Sequence, residues 1–183
     1  MQRTTQVVTI FYSTTNDDNY KDRRAAFNKA IKTLEQSRNV AIKVLDWQEN
    51  IPGGMSSGRG QDRINEEVYN TFDIYFGCLG AKFGAGTVEE FEKSIESHLK
   101  LGRPTEVLFA FDETKVNPFH VPDNFSKVVE FRKSIENDSK YGRSLLYFTF
   151  DDSDVFYDKL FRDLNEAIRK VQMRIKGGPP PAS

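Results

Sequence analysis

A carboxylate just after a glycine-rich turn out of a buried strand is well placed to do chemistry, and residues 80–91, GAKFGAGTVEEF, have that form. The apolar run 73–79 precedes them, and a stretch with Phe91, Ile95 and Leu99 at helical spacing follows. Thr87, Glu89 and Glu90 then fall in the first turn of a helix at the carboxyl edge of a sheet. Glycines there let backbone approach a sugar or phosphate, and helix N-terminal amides hold an anion or hydroxyl. The same residues also read as a Thr-x-x-Glu capping box, with Thr87 as N-cap and Glu90 at the third helical position. The two roles are compatible.

Two other loops carry polar side chains suited to binding. Residues 13–19, STTNDDN, combine hydroxyls and carboxylates, with Arg23 and Arg24 one turn further on. Asp17, Asp18 or Asn19 can cap a helix there, and the same groups can bind a ribose or phosphate. After the second apolar run, Trp47 offers either a core side chain or a stacking surface for a base. Gly53, Gly54, Ser56, Ser57 and Gly58, with Arg59 beside them, read as a mobile lid. This loop lacks the Gly-Lys-Ser/Thr ending of a P-loop, and GAKFGAG lacks the G-x-G-x-x-G dinucleotide spacing.

Other chemistries find little support. His98 and His120 occupy unrelated contexts, so neither a metal site nor a Ser-His-Asp triad is expected. Cys78, the single cysteine, lies inside an apolar run and reads as a buried small hydrophobe, which favours a cytoplasmic setting. A formal net charge of -1 and a pI near 6.2 give no electrostatic case for nucleic acid. The N-terminus shows no apolar signal core, and no stretch approaches the roughly 18 apolar residues of a membrane span, so no membrane partner is expected.

The elements that must position these residues alternate. Apolar β-rich runs fall at 6–12, 40–46, 73–79, 105–111 and 144–150. Helical periodicity fills 20–37, 61–71, the stretch from the glycine turn to 101, the region after 123, and 153–175. Phe27, Ala30, Ile31 and Leu34 form one buried stripe; Phe125, Val128, Val129, Phe131 and Ile135 form a second. Leu160, Leu164, Ile168, Val171 and Ile175 form a third. Gly102 and Pro104 stop the helix after the glycine turn. Five strands alternating with five helices predict an α/β fold: a flavodoxin-like three-layer sandwich with a five-stranded parallel sheet in the order 2-1-3-4-5. Residues 1–176 read as one domain, and 177–183 as a linker or tail. In that order the first crevice lies between strands one and three, where the three polar loops meet.

Taken together, several segments resemble the TIR-like domains at the N-termini of bacterial STAND-type NTPases. They are IFYSTTNDD with Asp22 and Arg23, the strand ending at Asp46 and Trp47, QDRIN with the strand from Asp73, and GAKFGAGTVEEFE. Those domains are similar in turn to nucleoside deoxyribosyltransferases and to TIR domains with NAD glycohydrolase activity. The resemblance covers residues 7–101 well and the rest by element order. In the deoxyribosyltransferases a Gly-Thr-x-x-Glu motif supplies the nucleophilic carboxylate, which places that role on Glu90 after Gly86 and Thr87. The chain departs from animal and plant TIR domains in having Ile51 where the glutamate of Trp-x-x-x-Glu would stand, and from the transferases in having Ala85 before Gly86.

The resemblance therefore implies N-glycosidic bond cleavage. Glu90 would stabilise an oxocarbenium-like state at C1 of the nicotinamide ribose of NAD, which is substrate rather than cofactor. Ser13, Thr14 and Thr87 would hold ribose hydroxyls or phosphate oxygens, Arg23 would neutralise phosphate, and Trp47 would stack on a ring. Phe83 and Gly86 would complete the binding turn. A free nucleoside or nucleotide substrate, or a non-catalytic self-association module, are the alternatives. Self-association within a larger antiphage or immune-type protein is the expected mode of activation.

Overall fold

Residues 7–14, VVTIFYST, are β-branched and aromatic almost throughout, a composition that suits a strand covered on both faces. In the computed structural model, which describes residues 6–46, 71–116, 120–136, 147–175 and 177, they form β1 (Val7–Thr14). There follow α1 (Tyr20–Arg38), β2 (Ala41–Leu45), β3 (Ile74–Leu79), α2 (Ala85–Leu101), β4 (Glu106–Asp112), α3 (Phe125–Glu136), β5 (Tyr147–Phe150) and α4 (Ser153–Ile175). The expected helix at 61–71, Trp47, the glycine-rich loop 51–60 and nearly all of the tail lie outside the described residues.

The five strands form one all-parallel sheet in the order β2-β1-β3-β4-β5, so the fold is α/β and flavodoxin-like as the alternation predicts. The central strand β3 is buried at every residue, whereas the edge strand β5 alternates. Strand parity separates two cores. Val8, Ile10 and Tyr12 face α1 and α4 together with Phe76, Cys78 and Ala110. Phe11, Tyr75, Leu79, Phe109 and Phe111 face α2 and α3. On that second face the Phe91 ring meets Phe109 at 4.9 Å and Phe131 at 5.5 Å, both edge-on, so α2 and α3 are locked onto β4 beside the residue that precedes Phe91.

Three expected stripes are narrower than their sequence patterns. Phe125 and Val129 on α3 are 37% and 38% exposed, because Val128, Phe131 and Ile135 alone take the core-facing side. Leu99 and Ile175, at 56% and 53% exposed, close the stripes of α2 and α4 outside the core. For Leu99 the cause is angular drift: the two steps of four residues from Phe91 turn the helix by roughly 80° away from its starting face.

Candidate active site

The turn after β3 is shaped by close approach of backbone to side chains. A Cβ on Gly80 would collide with Asp17 Oδ2, and one on Gly84 would collide with Thr15 Cγ2. Gly84 is the extended N-cap of α2 (φ -109, ψ 99), and Val88 N–H bonds back to its carbonyl at 3.1 Å. The helix thus starts two residues before Thr87, which becomes the third helical position and leaves Glu90 in the second turn. The capping-box reading is therefore corrected: Glu90 lies too far along the helix to reach the N-cap amide, and Gly84 has no side chain with which to reciprocate. Tyr75 helps to set this start by donating its hydroxyl to Thr87 O at 3.1 Å.

Freed from capping, Glu90 faces the sheet. Its side chain is 3% exposed and accepts a hydrogen bond at Oε2 from the hydroxyl of Ser13, which is fully buried at the end of β1. Parity explains the partner, since Ser13 shares its face of β1 with Phe11 and so points toward α2. Neighbouring Thr14 points to the opposite face, where its hydroxyl accepts from Arg23 at 3.4 Å. The two hydroxyls expected to act together are thus divided by the sheet. Glu89, one residue away, turns outward to Lys93 at 2.8 Å.

Arg23 is not placed as a phosphate ligand. It is 2% exposed and pairs with Asp17 and Asp112, each at 2.8 Å, while also donating to Thr15 O at 3.0 Å. Burial works against its charge, but Cys78, Asp17 and Asp112 outweigh that effect and hold the guanidinium above its ordinary range. Asp17 also accepts from the amide of Asn19 and the hydroxyl of Thr15, both at 3.1 Å. Thr14, Thr15, Asp17 and Asn19 of the first loop therefore bind one another, Arg23 and Asp112.

Arg24 pairs with Asp46 at the end of β2 and lies 5.0 Å above the Tyr12 ring. Asp112, which also accepts from Thr114 N at 2.9 Å, is a site residue that sequence reasoning missed. Its signal was available as a carboxylate ending a strand. Phe83 is half-buried against the α2–α3 core with Lys127 Nζ 6.0 Å over its ring, and Gly86 sits in the first turn of α2. Cys78 is fully buried, and desolvation pushes its thiol up to about 12. Among the described residues no group of His, Cys, Asp or Glu is placed to hold a metal, and no helix is long and apolar enough to cross a membrane.

Two cavities open along the same sheet edge, one of about 590 Å³ beside α3 and one of about 420 Å³ beside the first loop. Both touch the segment 112–116, and neither is lined by Ser13 or Glu90.

No protein-family model and no curated protein matches the chain. Among solved structures, a conserved protein from Enterococcus faecalis V583 is similar at 16% identity and TM-score 0.48, over 89% of this chain and 98% of that one. An FMN-dependent NADH-azoreductase from Bacillus anthracis str. Ames Ancestor, in complex with FMN, is similar at 10% identity and TM-score 0.41, over 90% and 98%. Likenesses this distant bear on neither ligand nor reaction.

Proposed function

We propose that the chain is an N-glycosidic bond hydrolase acting on NAD, with Glu90 as the carboxylate beneath the ribose. The observation that carries this reading is the buried Ser13–Glu90 hydrogen bond at the carboxyl end of β1, beside the β1–β3 switch point where open α/β sheets bind ligands. A carboxylate drawn out of water there interacts more strongly with a developing cation than one at the surface. Ser13 fixes one oxygen and so orients the group.

In the reaction the C1–N bond breaks and its electron pair leaves with nicotinamide, discharging the pyridinium. The positive charge passes to C1 and the ring oxygen, where Glu90 stabilises it. Water then bonds to C1 and releases a proton, giving ADP-ribose. The leaving group is already cationic, so no general acid is required. Arg23 acts in this scheme as a brace that holds Asp17, Asp112 and the first loop, rather than as a phosphate ligand.

One observation favours a second reading. Arg23 and Arg24, the two arginines at the start of α1, are both ion-paired to carboxylates. A substrate without phosphate, a nucleoside, is compatible with that charge balance. The test is product analysis at high protein concentration, with and without an artificial clustering tag. Nicotinamide release from NAD that falls at least about a hundredfold in Glu90→Gln supports the proposal. Base release from deoxynucleosides with NAD left intact selects the nucleoside substrate. Full activity in Glu90→Gln sinks the assignment of the carboxylate, and folded protein that clusters without turning over either substrate is a self-association module.

A further inference from the structure

α3 presents two different faces. Val128, Phe131 and Ile135 enter the core, while Phe125, Val129, Arg132, Lys133 and Glu136 border the cavity of about 590 Å³. Phe111 and Val128 form its floor, and the half-exposed Phe125 and Val129 stand at its wall. An aromatic-floored cavity of this size is within the range that encloses a small organic ligand.

Charge at the rim narrows the ligand further. Arg132 pairs with Glu113 at 2.6 Å and Glu136 at 3.2 Å, and its guanidinium lies 5.7 Å from the Phe111 ring centroid and 5.5 Å from that of Tyr147. Its charge is committed, and its plane extends the aromatic surface. Asp112 is likewise committed to Arg23. Lys115 and Lys133 are exposed at the rim, and neither forms an ion pair with another described residue. Glu113 and Glu136 both lie on the guanidinium of Arg132, and Tyr147 donates its hydroxyl to Glu136, so Lys115 and Lys133 are the rim groups left to meet an anion.

We propose that the β4–α3 cavity binds a planar aromatic monoanion, its ring on Phe111, Val128 and Val129 and its charge between Lys115 and Lys133. The site is separate from the Ser13–Glu90 pair and does not depend on the reaction assigned to it. Its position against the segment 112–116 brings the ligand next to Asp112, through which the cavity touches the ion network of Arg23.

The probe is 2-naphthoate, titrated calorimetrically into the whole chain and followed by amide chemical shifts. Saturable 1:1 binding is expected, with shifts concentrated at residues 111–116 and on α3. The neutral 2-naphthamide should bind at least about fivefold more weakly, and Lys115→Glu/Lys133→Glu should weaken naphthoate about tenfold while leaving naphthamide unchanged. Val129→Trp, at a half-exposed position that tolerates the larger ring, should occupy the ring position beside Phe111 and weaken both. Lack of saturation up to about 5 mM overturns the proposal, as do shifts located elsewhere or binding indifferent to Val129→Trp. Equal affinity for naphthoate and naphthamide overturns the anionic assignment.

Discussion

Arg23 is charged and buried, with Asp17 on one side and Asp112 on the other. Removing it by Arg23→Met leaves two carboxylates without their common partner, a loss of the kind that costs about 3–5 kcal/mol. Urea denaturation should show that drop, and a variant within 1 kcal/mol of the parent would mean the pairs are solvated in solution. Cys78 gives a chemical test of the same region. Burial pushes its thiol up to about 12, so the folded protein holds far less thiolate at pH 8 than an exposed cysteine. Alkylation should be limited by unfolding. Because the folded value is raised, the folded state keeps a proton that the unfolded chain loses, and stability is intact below pH 9 and declines as pH rises toward 12. Tyr12, also pushed up by burial, adds to the decline above its ordinary value of 10.0, so Cys78→Ala should flatten chiefly the portion between 9 and 10.

Among the elements, α2 matters most, because the residue proposed for chemistry is held by the one after it. Phe91 is fully buried among Tyr75, Phe109 and Phe131, and Phe91→Ala should cost about 3–5 kcal/mol and displace Glu90 with it. Leu99→Lys, two turns further along the same apparent stripe, should change stability by less than about 0.5 kcal/mol, since that side chain is 56% exposed. Denaturation of the pair measures how far the core-facing stripe of α2 extends. The capping box misled for a related reason. Thr-x-x-Glu is a local pattern, but Gly84 is pressed against Thr15 and Tyr75 reaches the Thr87 carbonyl, and both contacts come from other parts of the chain. Helix α3 repeats the lesson, with Phe125 and Val129 apolar in sequence yet turned to a cavity wall.

For the molecule as a whole, parallel pairing places all five carboxyl strand ends at one edge, where the Ser13–Glu90 pair, the Arg23 network and both cavities lie. The sheet should open from its sides. Amides of β3, flanked by β1 and β4 and buried throughout, should exchange slowest, and those of β2 and β5 should exchange well before them. Native-state hydrogen exchange reads this order directly, and equal protection across the sheet would show that it opens only as a unit. Activation by self-association, which the resemblance implies, predicts specific activity that rises with protein concentration, measurable by dilution.

The sequence by itself determined the alternation of strands and helices, the parallel order 2-1-3-4-5 and the buried cysteine. These follow from periodicity and from the covering of a parallel sheet, which are properties of contiguous segments. Only the tertiary structure decided that Ser13 and not Thr14 meets Glu90, that Arg23 is spent on Asp17 and Asp112, and that α3 turns Phe125 and Val129 away from the core. Ser13 and Glu90 are 77 positions apart, and Arg23 and Asp112 are 89 apart. Contacts of that range depend on strand register, on which face each helix crosses, and on where a helix begins, and residue types along the chain do not encode those choices one at a time.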